Sequence, residues 1–349
     1  MPATDLPELT ELERLIGQGG PWVQADVACT VAAGPHRFPV YVLSMGSDDP
    51  DAPALGFFGG IHGLERIGTQ VILAFLQSLL VRLRWDLGLQ RQLADMRLVF
   101  MPLVNPGGMW QATRSNPNGV DLMRNSPVQA SERVPFMLGG QRASARLPWY
   151  RGAFGAPMEA ESQAVCDVVE KLLLTRRFSL ALDCHSGFGL RDRIWFPHAH
   201  TSTPIAHLAE IAALEELFSL SYPHHRYVFE PQSLQYRTHG DLWDHLYLHA
   251  EHAARMAGDE ERVFLPLTLE MGSWLWVKKN PRQLFSRLGM FNPTAVHRHQ
   301  RVLRSHLIWF DFLLRAAGAH GRWLPQGSER SAQRARALAL WYGAQPHAQ

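Results

Sequence analysis

The stretch ALGFFGGIHGLERIG (residues 54–68) decides the expected fold, because an apolar strand runs into glycines and then into the start of a helix. Further apolar runs alternate with long helical patterns: RLVFMPLV (97–104), FSLALDC (178–184) and RVFLPLTLEM (262–271). This alternation is typical of α/β proteins whose strands form a largely parallel or mixed sheet. We therefore predict a single α/β domain with a mixed, mostly parallel, twisted sheet flanked by helices.

An opening hairpin and five long helices complete the predicted framework. Two β-rich runs (22–32 and 38–46), separated by a turn signal, form the hairpin. The stretch between Asn125 and Pro157 is rich in Gly, Pro, Ser and Arg and is longer than an ordinary connector, and such loops often border active sites. No repeat or linker divides the chain, so we predict an N-terminal helical extension (1–20), one main domain (21–320) and a C-terminal surface helix and tail (321–349). The predicted helices cover residues 66–84, 157–174, 203–218, 239–254 and 293–316.

The overall composition argues against several classes of partner. The 34 Lys and Arg residues nearly balance the 32 Asp and Glu residues, so we expect neither a nucleic acid nor a membrane surface as partner. Three scattered cysteines are too few for a disulfide scaffold. The N-terminus lacks the basic start and apolar run of a secretory signal, and we expect a cytoplasmic protein. No pattern indicates the oligomeric state.

The first candidate ligands for a metal are His62 and Glu65, three residues apart at a predicted helix start. This spacing places an imidazole and a carboxylate on one side of a turn, but alone it is weak evidence. A second His-x-x-Glu pair, His207 and Glu210, lies inside an unbroken helical pattern, and we interpret it as a solvated helix face. His62 differs because it follows the carboxyl end of a strand, where open α/β sheets place their ligands.

The third candidate ligand is His185, which ends the strand in LALDCHSGFG (180–189). Two histidines and one glutamate leave a fourth position for water, as in catalytic zinc sites, and predict one Zn²⁺ per chain. Asp183 either supports His185 or faces the other side of the strand. Glu270 is a carboxylate within the apolar strand PLTLEMGSW (266–274) and needs a nearby cation or hydrogen bonds. Beside zinc it would deprotonate the zinc-bound water and protonate a leaving amine.

In this order the motifs resemble the zinc metallocarboxypeptidases, the family of carboxypeptidase A, over roughly residues 25–316. NPGGMWQATRSNPNGVDLMRN (105–125) resembles the block that implies two roles: Arg114 stabilises the oxyanion of the scissile carbonyl, and Arg124 binds the substrate's terminal carboxylate. YRTHG (236–240) resembles the segment whose mobile tyrosine, here Tyr236, closes over the substrate. The resemblance implies a zinc metallopeptidase that hydrolyses C-terminal peptide bonds.

Two positions bear on substrate choice. The family usually has Asn before its second arginine, whereas this chain has Met123, which cannot usefully hydrogen-bond a carboxylate. Asp241 follows the tyrosine segment, where the family's side-chain pocket is partly lined. If Asp241 faces that pocket, peptides with basic C-terminal residues are the favoured substrates.

Two other functions stay open on the sequence alone. A more distant resemblance, through Gly-x-His-Gly-x-Glu (60–65), is to N-acyl amino acid deacylases of the succinylglutamate desuccinylase and aspartoacylase type, which would take a small acyl-amino acid. The helical pattern of the C-terminal region opposes this, because those deacylases end in a small β-rich domain. The other alternative is a catalytically silent zinc- or peptide-binding protein, which the presence of all three ligands and Glu270 argues against.

Overall fold

The protein is built on one eight-stranded sheet, seen in a computed structural model that describes residues 6–259 and 261–343. The strands are β1 (Gln24–Ala33), β2 (His36–Gly46), β3 (Ala54–Gly59), β4 (Arg97–Met101), β5 (Phe178–Ser186), β6 (Arg193–Phe196), β7 (Val228–Pro231) and β8 (Val263–Met271). Their order across the sheet is β1-β2-β4-β3-β5-β8-β6-β7.

Helices flank this sheet and link most of its strands. They are α1 (Pro7–Gly19), α2 (Arg66–Arg82), α3 (Leu87–Ala94), α4 (Pro106–Gln111), α5 (Ala160–Leu172), α6 (Leu208–Ser221), α7 (Leu242–Ala257), α8 (Trp274–Lys279), α9 (Val296–Gly318) and α10 (Gly327–Trp341). The prediction of a single α/β domain with a mixed sheet is confirmed.

The centre of the sheet is parallel and its flanks are partly antiparallel. β3 runs parallel to β4 and β5, and β5 runs parallel to β8. The pairs β1/β2, β2/β4 and β6/β8 are antiparallel. Every residue of β3, β5 and β8 is buried, as expected for central strands covered on both faces. Because these three strands are parallel, their carboxyl ends meet at one edge of the sheet.

Aromatic packing joins the sheet to its helices. The ring of Phe57 on β3 stacks on Phe310 of α9 at 4.8 Å between centroids, and Phe75 of α2 and Phe100 of β4 each lie 5.2 Å away. All four rings are almost fully buried. Since α2 follows directly after His62 and Glu65, this packing also fixes the position of the first ligand segment.

The predicted elements agree with the structure in type but differ at their ends. The hairpin is confirmed, with a register shift between Val27 and Cys29. The helix predicted from residue 203 begins at Leu208, and the one predicted from 239 begins at Leu242. The second start follows from Asp241, whose side chain accepts from the backbone N–H groups of the first turn and so caps the helix.

The interpretation of His207 and Glu210 as a solvated helix face is wrong. Glu210 is buried, and its Oε1 accepts from Arg330 Nε on α10 at 2.5 Å. The two ring nitrogens of His207 contact the Tyr247 hydroxyl at 2.9 Å and the Arg262 carbonyl at 3.1 Å. The periodicity could not reveal this because the covering helix lies 120 residues further along the chain.

The two chain ends add helices to the main body. Leu9, Leu12 and Leu15 of α1 belong to the same buried core as the sheet, and α10 packs on α6. Residues 1–5 and 344–349 of the predicted extension and tail lie outside the described residues, and the division into three segments stays a prediction. No single helix in the ranges 6–259 and 261–343 is long and apolar enough to cross a membrane, although α2 and α3 together pass that test as a pair bent by 109°.

Replacing Phe57 by Ala should lower the free energy of unfolding by about 3–5 kcal/mol, because the change leaves a cavity among the buried rings of Phe75, Phe100 and Phe310. Chemical denaturation with urea measures this loss. Phe154, which is 92% exposed, provides the control, since Phe154→Ala should change stability by about 0.5 kcal/mol or less. Equal effects of the two substitutions would contradict the assigned packing.

Candidate metal centre and active site

A tight turn after β3 carries the first two candidate ligands. His62 follows the strand by three residues, and α2 begins at the residue after Glu65. Gly63 makes this turn feasible, because a Cβ there would lie 2.1 Å from the backbone carbon of Gly108. The turn is also tied to a neighbouring segment, since the Gly63 N–H donates to the Arg114 carbonyl at 3.3 Å.

The three predicted ligands converge at the carboxyl ends of β3 and β5. His62 Nδ1 lies 2.9 Å from Glu65 Oε1, and His185 Nδ1 lies 3.0 Å from Glu65 Oε2. The two Nδ1 atoms are 3.1 Å apart. All three residues are buried. Each offers one ligand atom, and these three atoms lie within 4.8 Å of one another, as a shared metal ion requires. The predicted cluster of His62, Glu65 and His185 is therefore confirmed as a candidate metal site.

Two buried carboxylates orient the imidazoles from behind. His62 Nε2 contacts Asp121 Oδ1 at 3.0 Å, and His185 Nε2 contacts Asp183 Oδ2 at 2.6 Å. Trp243 Nε1 donates to the same Asp183 oxygen at 2.8 Å. Asp183 supports His185 because residues two apart in a strand share a face, so the alternative that it points away is wrong.

The donor set fits zinc. Each imidazole turns Nε2 toward a carboxylate and presents Nδ1 to the centre, which is the usual way in which proteins orient metal-binding histidines. Two imidazole nitrogens and one carboxylate also match the ligands of catalytic zinc sites. His62, Glu65 and His185 are thus the residues that would hold the ion.

Charges inside the site shift several pKa values. Burial opposes ionisation of Asp121, yet Arg114 and His62 hold the pKa of its carboxyl well below the usual range. Burial likewise opposes protonation of His185, but Asp183 and Glu65 raise its pKa well above the ordinary value. The group is therefore dominated by buried negative charge, which favours a cation at its centre.

Glu270 stands beside the candidate metal site on the next strand. It pairs in register with His185, so the two side chains lie on the same face of adjacent strands. Its Oε1 accepts from the Phe188 N–H at 2.9 Å. Burial, with a further contribution from the charge of Glu65, raises the pKa of Glu270 to about 8. A carboxylate of this basicity suits proton transfer near neutral pH.

Arg114 links the metal ligands to their support. Its Nε donates to Asp121 Oδ2 at 2.8 Å, and its Nη1 donates to Glu65 Oε1 at 3.3 Å. Burial opposes the charged form, but Asp121 and Glu65 raise the pKa of the guanidinium above its ordinary value. Arg114 is therefore a fixed positive charge at the edge of the site.

The remaining candidate residues, Arg124, Tyr236 and Asp241, also lie together. The Arg124 guanidinium carbon is 6.0 Å from the centre of the Tyr236 ring, and Arg124 Nη1 is 3.9 Å from Asp241 Oδ2. Asp241 Oδ1 accepts from the N–H groups of Trp243 and Asp244, whereas Arg124 Nε and Asp241 Oδ2 have no hydrogen-bond partner among the residues described. Burial and the charge of Asp244 raise the pKa of Asp241 to about 7.

The long irregular stretch 125–157 borders this second group, as the sequence indicated. Buried Arg151 donates to the carbonyl of Arg124 at 3.0 Å and to those of Ser126 and Val128 at 3.3 and 3.0 Å. Gly240 (φ 71°) packs against the same backbone, because a Cβ at this position would lie 1.9 Å from the backbone carbonyl oxygen of Arg124. Arg151 therefore holds in place the backbone that carries Arg124.

A further positioning residue, Asn292, comes from the C-terminal third of the chain. Its Oδ1 accepts from the Ile67 N–H at 2.9 Å, and its Nδ2 donates to the Leu64 carbonyl at 2.8 Å. The sequence did not reveal Asn292, Asp121, Trp243 or Arg151 as functional, because each acts through a segment distant in the chain. Two of them lie in segments that resemble the family: Asp121 in the block with both candidate arginines, and Arg151 in YRG (150–152), but neither segment indicates the contact that its residue makes.

The fold and site define an α/β protein with a buried candidate metal centre at the carboxyl ends of parallel strands. The family model described as zinc carboxypeptidase matches residues 35–273, more than half of the chain. The chain therefore belongs to the zinc carboxypeptidase family.

Individual relatives are more distant. The rat (Rattus norvegicus) carboxypeptidase N catalytic chain is 25% identical over 210 residues, which are 52% of this chain and 44% of that protein. Carboxypeptidase SOL1 of Arabidopsis thaliana is 32% identical over 98 residues, which are 27% of this chain and 20% of that protein. The chain thus spans less than half the length of these curated relatives.

Solved structures share the fold. Thrombin-activatable fibrinolysis inhibitor superposes with a TM-score of 0.63 at 16% identity, covering 89% of this chain and 74% of that one. Carboxypeptidase A from Helicoverpa armigera gives a TM-score of 0.60 at 15% identity, covering 89% and 72%.

Asp183→Asn should weaken zinc binding by about 10–100-fold, because it removes the charged oxygen that orients His185. Competition with a chelator of known affinity measures the change. Asp167→Asn, on the exposed face of α5, is the control and should bind zinc as the unmodified protein does. An unaltered zinc affinity in Asp183→Asn would argue against the supporting role of Asp183.

Proposed function

We propose that this protein is a zinc-dependent carboxypeptidase that hydrolyses the C-terminal peptide bond of a peptide substrate. The observation that carries the proposal is the buried group of His62, Glu65 and His185 with Glu270 in register on the adjacent strand. Membership of the zinc carboxypeptidase family supports it. The deacylase alternative predicts a small β-rich C-terminal domain, whereas this region of the chain forms the helices α9 and α10.

In the proposed reaction, each residue around the metal site has a separate role. A bound Zn²⁺ would supply a Lewis acid that polarises the scissile carbonyl and lowers the pKa of water to about 7. Glu270 takes a proton from the attacking water and later donates it to the departing amine. Arg114 donates hydrogen bonds to the carbonyl oxygen as negative charge develops there. Asp121 keeps both Arg114 and His62 in position through separate oxygens.

Arg124 and Tyr236 supply the recognition of a free carboxyl end. The Arg124 guanidinium pairs with the terminal carboxylate of the substrate, and the Tyr236 ring, 6.0 Å away, closes over it. The Met123 side chain cannot hydrogen-bond this carboxylate. The neighbouring Asn125 side chain already donates to the Arg151 carbonyl and accepts from the Glu159 N–H. Arg124 therefore carries the charge recognition alone.

The proposal predicts peptide cleavage that a chelator abolishes and added Zn²⁺ restores. Glu270→Gln should retain zinc but lose about 10²–10⁴-fold in kcat/KM, because the general base is gone. In the unmodified protein kcat/KM should rise with pH as Glu270 loses its proton, since only the carboxylate can act as base. Glu329→Gln at the exposed start of α10 is the control and should keep full activity.

The assay also separates the alternative functions. Hydrolysis of acetyl- or succinyl-amino acids without peptide cleavage would identify a deacylase. Stoichiometric zinc without hydrolysis of any of these amides would indicate a silent binding protein. Full activity of Glu270→Gln would refute the role given to Glu270.

We further propose that Asp241 selects basic C-terminal residues through its Oδ2, which accepts no hydrogen bond from the described residues. Asp241→Asn should lower the preference for Lys-ended over Phe-ended peptides by about 10–100-fold, the value of one charged hydrogen bond. Asn also caps helices well, so α7 should be preserved. Asp86→Asn, at the cap of α3, is the matched control. Equal rates on the two peptides in the unmodified protein would contradict the proposal.

A further inference from the structure

Residues 271–310 contain no acidic residue, although they include seven Lys and Arg residues. The whole chain has a formal net charge of only +2, so this segment concentrates positive charge that the rest of the protein does not share. We call residues 274–304, from α8 to the first two turns of α9, the basic rim. Its cationic residues are Lys278, Lys279, Arg282, Arg287, Arg298, Arg301 and Arg304.

The charges of the basic rim are exposed and unneutralised. All but Arg298 are exposed, and none of the seven forms an ion pair with a carboxylate of the described residues. Nearby acids are engaged elsewhere: Asp192 accepts from the Gly272 N–H, and Glu8 pairs with Arg66. The rim therefore presents a net positive field to solvent.

The basic rim adjoins the candidate active site through direct contacts. Trp274 Nε1 donates to the Gly187 carbonyl at 2.8 Å, and Ser186 Oγ donates to the Phe291 carbonyl at 2.7 Å. Gly187 and Ser186 directly follow the ligand His185. The rim therefore lies beside the loop that follows the ligand His185.

Exposed apolar side chains are interspersed with these charges. Phe285 is 93% exposed and Leu284 is 54% exposed, while Trp274, at 46%, packs its ring against Phe188 at 5.4 Å. Exposed aromatic and aliphatic groups beside unpaired cations suit an extended chain that carries negative charges. Stretch 125–157 borders Arg124, the proposed partner of the terminal carboxylate, whereas the rim borders the loop that follows the ligand His185.

We propose that the basic rim binds acidic side chains of the substrate upstream of the scissile bond. The preferred substrates are then peptides with acidic residues before their C-terminal residue. This inference rests on the proposed function and specifies its substrate class. Because the rim is open to solvent, its attraction acts on association and is screened by salt, so it should change kcat/KM more than kcat.

Two peptides with the same two C-terminal residues test this proposal, one preceded by three Glu and the other by three Gln. At low ionic strength the Glu peptide should have about tenfold higher kcat/KM with similar kcat. The ratio should approach one in about 0.5 M NaCl, where exposed charges are screened within a few ångströms. A ratio of one at low salt would overturn the proposal.

Variants assign the preference to the basic rim. Lys278→Gln, Lys279→Gln and Arg282→Gln combined should bring the ratio close to one, whereas Lys278→Arg with Lys279→Arg keeps the charge and should keep the ratio. Arg91→Gln with Arg322→Gln is the control, since both arginines are exposed and lie near the starts of β4 and β5, at the opposite edge of the sheet. A ratio retained in the triple variant would overturn the proposal.

Binding measurements keep the test separate from the proposed function. If no peptide is cleaved, the carboxypeptidase proposal fails, but fluorescence anisotropy with labelled Glu-rich and Gln-rich peptides still decides the role of the rim. Tighter binding of the Glu-rich peptide, lost in the triple variant, supports it, and equal affinities overturn it. Binding to phosphatidylserine-containing vesicles together with equal peptide affinities would assign the rim to a lipid surface instead.

Discussion

The centre of this protein is defined by more buried negative charge than its own cations offset. Glu65, Asp121 and Asp183 are each less than a tenth exposed and share one site, where Arg114 is a close counter-charge to Glu65 and Asp121. Such carboxylates are unfavourable inside a protein unless cations or hydrogen bonds compensate them. A divalent ion held by His62, Glu65 and His185 would supply positive charge to this site. Metal binding and the stability of this edge of the sheet are therefore coupled.

The surroundings combine a rigid interior with an open border. Parallel strands deliver His185 and Glu270 side by side, while Asn292 and Arg151 fasten the loops on either side through backbone hydrogen bonds. These contacts hold the reacting groups in place to within a fraction of an ångström, as catalysis requires. The part of a substrate outside the metal centre would meet residues that face solvent. There charge acts over a longer range, and the exact positions of the groups matter less.

Local patterns in the sequence were sufficient for the fold class and the three ligands. Each ligand and Glu270 sits at a strand end, and strand ends are readable from apolar runs followed by glycine or a polar residue. The supporting residues were not readable in this way, since Trp243 and Asn292 act across 60 and more than 200 residues. Glu210 was misjudged for the same reason. The cytoplasmic location and the segment boundaries stay predictions, as no contact bears on them.

The position of β8 has a consequence for how the chain reaches this structure. Among the described strands it comes last along the chain, yet it inserts between β5 and β6 in the middle of the sheet. A nascent chain that has emerged only through β7 carries all three metal-binding side chains but cannot close its sheet. Completion depends on late, long-range pairing, which is intrinsically slow. Until then the flanks of the gap are unpaired edges, so assistance by chaperones during biosynthesis would be of most benefit at this stage.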